Sequence, residues 1–164
     1  MVDQSQIAEI YRILEKVKDP EIPVLSVRDL GILRDVQITD SGEIKVIITP
    51  TYSGCPAMDT IEREVKETLQ AAGKEVVVES RISPAWTTDW MTKEGRRKLE
   101  QYGIAPPAET TADKNALLGK SKVVRCPRCK SESTSLISQF GSTACKAMYK
   151  CDDCHEPFDY FKCI

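Results

Sequence analysis

The stretch Thr51-Tyr52-Ser53-Gly54-Cys55-Pro56-Ala57 decides the fold of the first part of this 164-residue chain. An apolar strand pattern over 44–50 runs into it, and a helical pattern over 56–72 leaves it. Pro56 suits the first helical turn, where a backbone N–H is not needed. Cys55 is therefore expected at or next to the helix N-cap, where free N–H groups and the helix dipole favour a thiolate.

The segments on either side of this turn complete a small domain. Apolar residues at three- and four-residue spacing predict a helix over about 5–17. Alternating patterns predict strands over about 32–39 and 75–82, with hairpin-turn residues at 40–43. The order α-β-β-α-β predicts an α+β fold, a two-layer helix-on-sheet domain with a mixed or antiparallel sheet and strand 44–50 at its centre.

The rest of the chain divides by composition. A short basic helix is expected over about 92–102, before a stretch rich in Pro, Ala and Thr. We therefore predict a first domain at 1–104, a linker at 105–120 and a cysteine-rich module at 121–164. The start of the chain has neither a basic segment nor a long apolar run, so we expect no secretory signal, no membrane span and a cytoplasmic location.

Six of the seven cysteines lie after residue 125, and four of them form two Cys-x-x-Cys pairs separated by 21 residues. An odd count without a signal segment points to metal in a reducing compartment rather than to disulfides. A 44-residue module also buries too little apolar surface to fold unaided. The spacing predicts a small C-terminal zinc ribbon with structural zinc, and iron on four thiolates is the alternative. The predicted ligands are Cys126, Cys129, Cys151 and Cys154.

Two further cysteines, Cys145 and Cys163, have no partner in this pattern. Each is a candidate accessory thiol, either a spare ligand or a transfer thiol, and packing is the competing interpretation. His155 is the sole histidine. No histidine base is therefore available to the first domain, and we predict no catalytic residues and no enzymatic activity.

Charge argues against a nucleic-acid binder. Residues 121–164 carry a net charge of +2, which leaves −4 for the rest of a chain whose net charge is −2. This is weak for phosphate binding. Phe158, Tyr160 and Phe161 are accordingly expected to form the core of the ribbon or a protein contact rather than a stacking surface for bases.

Asp19 and Glu21 lie on a proline-bounded turn after the first helix, where solvated charges at a helix end are the simplest interpretation. Together with Cys55 they are candidates for transient metal or cluster handling, because carboxylates and a thiolate suit a soft or borderline metal. Trp86 and Trp90 are candidate partner contacts, since tryptophan often anchors interfaces, and burial in the core is the equal alternative.

The sequence resembles a known family at these positions. Asp19-Pro20-Glu21-Ile22-Pro23, Asp29-Leu30-Gly31-Ile32 and residues 51–56 are similar to the signature of the small metal–sulfur cluster assembly domain. Pro84–Met91, Tyr102–Pro107, Phe140–Ala147 and Glu156–Cys163 narrow the resemblance to the PaaD family, accessory proteins of bacterial phenylacetate degradation. The resemblance covers nearly the whole chain.

This resemblance implies a non-enzymatic role in maturing the multicomponent phenylacetyl-CoA epoxidase, by helping an iron–sulfur or di-iron centre reach its subunits. It also implies that Cys55 is the family's cysteine and that Asp19 and Glu21 are its acidic pair. The expected partners are the oxygenase or reductase component or a cluster scaffold, with a second copy of the chain as a further candidate. Two alternatives stay open: an electron-transfer or structural subunit with iron at the ribbon cysteines, and a zinc-ribbon nucleic-acid binder.

Overall fold

The computed structural model describes residues 4–107 and 123–162. It divides into two compact units. The first contains the described residues up to Trp86 together with Trp90–Thr92, and the second contains Thr87–Asp89 and the described residues from Lys93 onward.

The first unit has the predicted order of elements. Helix α1 spans Gln4–Leu14, strands β1 and β2 span Leu33–Ile38 and Ile44–Ile48, helix α2 spans Ala57–Ala71, and strand β3 spans Val76–Ser80. Each element is shorter than its pattern predicts by a few residues, because the apolar periodicity continues into the flanking turns.

The three strands form a mixed sheet in the order β1-β2-β3. Strand β1 pairs with β2 antiparallel through a turn at residues 39–43, and β2 pairs with β3 in parallel. A parallel pair needs a long crossover, which α2 provides. The sheet is therefore mixed, one of the two arrangements predicted, and the prediction that the second strand lies at its centre is confirmed.

Helix α2 is held by one apolar stripe. Ile61, Val65 and Leu69 recur every four residues and are completely buried. Burying such a side chain contributes roughly 1.5–3 kcal/mol relative to exposure, so this stripe fixes the helix firmly. The start of α2, and with it Cys55, is positioned by this packing.

The loop at residues 29–31 anchors the segment that follows β3. The indole N–H of Trp86 donates to the carbonyl oxygen of Leu30 at 2.8 Å, and the backbone N–H of Thr92 donates to that of Asp29 at 3.0 Å. Gly31 has φ +74°, and the backbone of Trp90 lies directly against its α-carbon. Trp86, Trp90 and Thr92 are therefore each in contact with this loop.

The second unit contains helix α3, Lys93–Tyr102, and a four-stranded sheet in the order β4-β7-β6-β5. Strands β5, Thr134–Ser138, and β6, Lys146–Cys151, pair antiparallel within the predicted ribbon. Strand β7, Pro157–Phe161, pairs with β6 antiparallel, while β4, Ile104–Ala105, pairs with β7 in parallel. Ala147, Phe158 and Tyr160 pack in the buried core of this sheet, which confirms the prediction of a ribbon core for the two aromatic residues.

The compact units divide at a different place from the predicted boundary at 104. Helix α3 and β4 belong to the second unit because the backbone of Ile104 and Ala105 pairs with β7. The predicted linker at 105–120 therefore begins with a strand residue, and most of it lies outside the described residues. None of the helices in the described ranges is long and apolar enough to cross a membrane.

Candidate functional site

The four predicted ribbon ligands come together in the second unit. Their sulfur atoms all lie within 4.8 Å of one another. The sulfur of Cys126 is 3.8 Å from that of Cys154, and the sulfur of Cys129 is 3.5 Å from that of Cys151. Each short distance joins a cysteine of one pair to a cysteine of the other, so the two knuckles face each other around one point.

The two knuckles share one backbone geometry. The N–H of Cys126 donates to the carbonyl oxygen of Ser131 at 2.9 Å, and the N–H of Cys151 donates to that of Glu156 at 3.0 Å. Both bonds span five residues. The residue after each second cysteine has positive φ, +66° for Lys130 and +64° for His155. This left-handed turn brings both thiols of a knuckle to the same side.

The arrangement fits a tetrahedral metal centre. Sulfurs bound to zinc at about 2.3 Å in a tetrahedron lie about 3.8 Å apart, close to the observed spacing. Four thiolates leave no open coordination position, as in structural sites. The backbone N–H of Cys154 donates to the sulfur of Cys151, and it is the largest cause that lowers the pKa of Cys151 to about 7. His155 is exposed beside this set and is not part of it.

The accessory thiols differ in what the structure describes. Cys145 is buried, with its sulfur 3.1 Å from the hydroxyl of Thr143, and its carbonyl oxygen accepts the N–H of Lys162. It lies outside the set of converging sulfurs. Cys163 lies outside the described residues.

Cys55 directly precedes the N-cap of α2, which is Pro56. Its N–H donates to the carbonyl oxygen of Tyr52 at 3.3 Å, and its own carbonyl accepts the N–H of Met58 at 3.2 Å. Gly54, with φ +82°, makes the turn that leads the chain from the strand into the helix. The side chain is half-buried. The predicted position of the thiol beside the N-cap is therefore confirmed.

The expected thiolate is not favoured at this position. Burial raises the pKa of Cys55, and the negative charges of Glu21 and then Asp19 raise it further. The backbone N–H of Ala57 and the side chain of Tyr52 lower the pKa, but the net shift is upward. The helix N-terminus therefore lowers the pKa of the sulfur as predicted, but desolvation raises this pKa by more. Sequence reasoning missed the role of Tyr52, although it lies only three residues before the thiol.

The two predicted acidic residues have different roles. The Asp19 carboxylate is buried and accepts the N–H groups of Glu21 at 2.7 Å and of Ile22 at 2.9 Å. This turn places the half-buried Glu21 where its charge acts on Cys55. The structure thus places both carboxylates close enough for their charges to act on the thiol of Cys55. Among the residues that the structure describes, these three do not form a set of donor atoms within 4.8 Å of one another, as the ribbon cysteines do.

The two tryptophans do not share one role. Trp86 is 5% exposed and its indole N–H is bonded within the first unit, so the interpretation as an exposed partner contact is wrong for this residue. Trp90 is half-buried, and the guanidinium of Arg34 lies over its ring. Sequence reasoning did not single out Arg34, because nothing in a strand pattern marks a long-range stack.

Comparison with known proteins agrees with both parts of the structure. Residues 7–80 match the family described as iron-sulfur cluster assembly protein, and residues 110–162 match the PaaD zinc beta ribbon domain. A crystal structure of domain of unknown function DUF59 from Bacillus anthracis shares 26% identity with a TM-score of 0.55, covering 58% of this chain and 92% of that one.

Two curated relatives extend these matches. The chain is 52% identical to a protein of Escherichia coli strain K12 that is named as one of the subunits of a 1,2-phenylacetyl-CoA epoxidase, over 97% of this chain and 94% of the relative. It is 36% identical to an Fe-S protein maturation auxiliary factor of Porphyromonas gingivalis, over 56% of this chain and 88% of the relative. The family matched by residues 7–80 and this second relative are both named for iron–sulfur cluster assembly or iron–sulfur protein maturation. The chain belongs to the PaaD family, in which an iron–sulfur cluster assembly domain precedes a zinc beta ribbon.

Proposed function

We propose that this protein assists the maturation of a multicomponent phenylacetyl-CoA epoxidase, by helping an iron–sulfur or di-iron centre reach its subunits. One observation carries the proposal. A single chain combines a cluster-assembly fold bearing a thiol and two carboxylates with a ribbon of four converging thiols, and it matches the epoxidase-named relative along 97% of its length. The working partner is the oxygenase or reductase component, or a cluster scaffold, in the cytoplasm.

The ribbon cysteines are proposed to hold structural zinc. Sulfur spacing close to that of a zinc tetrahedron and a backbone N–H donated to Cys151 both support this assignment. The metal would cross-link the two knuckles, which have the same pattern of backbone hydrogen bonds. Its contribution is then to the stability of the second unit, because four protein ligands leave no position for a client or substrate.

Cys55, Asp19 and Glu21 are proposed to handle the metal or cluster as cargo. Burial, together with the negative charges of Glu21 and Asp19, raises the pKa of Cys55 and so disfavours an unligated thiolate at neutral pH. A metal cation bound by the carboxylates and the sulfur would instead favour the thiolate, because its positive charge would offset the negative charges of all three groups. The Ala57 N–H and Tyr52 are available to stabilise the thiolate once the proton leaves. The donor atoms of Cys55, Asp19 and Glu21 do not converge as the ribbon sulfurs do. Such an arrangement suits transient binding of a metal rather than permanent binding.

Anaerobic purification of the full chain with each epoxidase component tests the proposal. Metal and sulfide are counted on both partners, with Cys55→Ala compared with the matched control Cys145→Ser in the other unit. We expect zinc on the accessory chain, iron on the client, and loss of client iron and epoxidase activity only in Cys55→Ala. Full epoxidase activity in Cys55→Ala contradicts a working thiol.

The same samples separate the alternative function. Redox-active iron on the ribbon cysteines of the wild-type chain would instead favour an electron-transfer subunit of the epoxidase. Zinc alone, in a colourless anaerobic preparation, excludes that alternative. The two outcomes differ in the metal bound to this chain, so they can be told apart without any activity measurement.

A further inference from the structure

Arg34 occupies an irregular position in β1. Leu33 pairs with Ile48 and Asp35 pairs with Ile47, so Arg34 is the extra residue of a β-bulge. A bulge changes the direction of a side chain relative to the regular alternation of a strand. Arg34 is exposed, and its guanidinium carbon lies 3.4 Å from the centre of the Trp90 ring. The bulge therefore presents this side chain to the tryptophan.

The ring beneath the guanidinium is held in place from several directions. The Trp90 backbone lies against Gly31, the preceding Trp86 is bonded to Leu30, and the following Thr92 is bonded to Asp29. Stacking on a fixed aromatic face reduces the rotamer freedom of Arg34 before any partner arrives. Less conformational entropy is then lost on binding, which is the main gain from preorganisation.

The stacked guanidinium keeps its donors available. Among residues 4–107 and 123–162, no carboxylate lies within 4.0 Å of it, and no hydrogen bond from its five N–H groups is observed. Stacking covers the face of the planar group and leaves its N–H edge directed outward. A planar fork of donors is the arrangement that binds a carboxylate through two parallel hydrogen bonds.

The neighbouring charged side chains already have partners of their own. Arg28 lies over the Tyr11 ring and pairs with Glu15 at 3.0 Å. The carboxylate of Asp35 accepts the N–H of Val36 and the amide of Gln37. Tyr11 lies within electrostatic range of Arg28, Arg34 and Asp35. Among the residues that the structure describes, Arg34 is thus the cation of this group that forms no ion pair.

We infer that Arg34 stacked on Trp90 is a docking point for a carboxylate side chain in an acidic segment of a partner protein. Arginine, tryptophan and tyrosine are the residue types that dominate protein interfaces. The net negative charge of the chain disfavours binding of a polyanionic nucleic acid. A short acidic peptide, in contrast, needs only the N–H donors of the Arg34 guanidinium. This inference does not depend on which metal or client the protein serves.

Fluorescence anisotropy of a labelled hexaglutamate peptide with the full chain, at about 50 mM salt, tests the inference. We expect Arg34→Gln to weaken binding about tenfold, and Arg34→Lys to weaken it several-fold because the charge stays while the planar fork is lost. The matched control is Arg63→Gln on the exposed side of α2, which removes the same charge away from the aromatic ring. It should change affinity less than about twofold.

The specificity of binding is tested with two further probes, neutral hexaglutamine and octathymidylate, and with tryptophan emission. Neutral hexaglutamine should not bind, and emission should shift with hexaglutamate because Trp90 lies under the guanidinium that binds the carboxylate. The inference is overturned by absent binding up to about 1 mM peptide. It is equally overturned if Arg34→Gln and Arg63→Gln weaken binding alike, if Arg34→Lys binds as wild type, or if an octathymidylate binds more tightly than the acidic peptide. Emission of each free variant first confirms that the first unit is folded.

Discussion

Gly31 and the backbone of Trp90 are in direct contact. A Cβ placed on residue 31 would lie 2.4 Å from the carbonyl oxygen of Trp90 and 2.7 Å from its Cβ. The same glycine has φ +74°, a conformation that residues with a side chain adopt at a cost. Residue 31 must therefore adopt a left-handed backbone conformation and must also have no side chain. Only glycine meets both requirements, and it lies within the sequence signature Asp29-Leu30-Gly31-Ile32.

Gly31→Ala is expected to destabilise the first unit by about 2–4 kcal/mol, because left-handed strain and steric overlap with backbone add. Urea unfolding followed by tryptophan emission measures this, since both tryptophans lie in the first unit. Gly42→Ala is the matched control: its φ is +84°, and nothing lies within 4 Å of the added Cβ. It should cost only about 1 kcal/mol. Equal losses in the two variants would show that the contact with Trp90 contributes nothing.

Trp86→Phe should lower the stability of the first unit by about 1–2 kcal/mol, because the buried Leu30 carbonyl loses the indole N–H. Emission from Trp90 still reports unfolding in this variant. Ile82→Ala serves as the control, since Ile82 is 70% exposed and its truncation should cost less than about 0.5 kcal/mol. A Trp86→Phe protein of unchanged stability but impaired partner binding would restore the interface interpretation for this residue.

Alkylation of Cys55 should be slow at neutral pH and should accelerate with an inflection above the ordinary thiol pKa. The reason is that burial and the charges of Glu21 and Asp19 raise its pKa, and only the thiolate reacts. Glu21→Gln removes one of these charges, so the pKa should fall and the rate at pH 8 should rise. Iodoacetamide labelling followed by peptide mass spectrometry measures the rate at Cys55 alone.

The control for that series is Glu67→Gln, on the exposed side of α2, which removes an equal charge away from the thiol. Its alkylation profile should match that of the unchanged chain. A Glu21→Gln profile that also matches would show that the carboxylate does not act on the sulfur, and the proposed cargo site would then lose one of its members.

Cys126→Ser should abolish stoichiometric metal binding and unfold the ribbon sheet, because three sulfurs no longer close the tetrahedron. The first unit should still unfold cooperatively in urea, as followed by tryptophan emission. Metal analysis, together with amide hydrogen exchange over residues 134–161, measures the effect. Cys145→Ser is the control and should keep its metal, because this buried thiol lies outside the converging set. Full metal content in Cys126→Ser would contradict the ligand assignment.

The predictions from sequence are most accurate where one local rule determines the structure. Periodicity fixes α2, and β-branched runs on either side of it predict β2 and β3, although these runs do not decide between a parallel and an antiparallel pair. The ribbon ligands follow from cysteine spacing, because a knuckle is a local structure of four residues. The position of Cys55 follows from a single proline.

The errors come from interactions between distant residues. Burial of Trp86 depends on a carbonyl 56 residues earlier. The raised pKa of Cys55 depends first on burial and then on a turn that brings Glu21 near it. The bulge at Arg34 is one extra residue in an otherwise regular alternation, which a short strand pattern cannot reveal. Strand β4 is two residues long and is defined only by its partner β7.

Residues 81–109 lie between the two family matches, yet the described part of this segment is divided between the two units. Trp86 and Trp90–Thr92 complete the first unit, while α3 and β4 belong to the second, whose sheet β4 completes. A truncation at residue 80 would therefore remove the residues bonded to Asp29 and Leu30. One that starts at residue 110 would leave an unpaired edge on β7. Anyone separating the halves of this protein should cut near residue 92, well inside what sequence comparison treats as a connection.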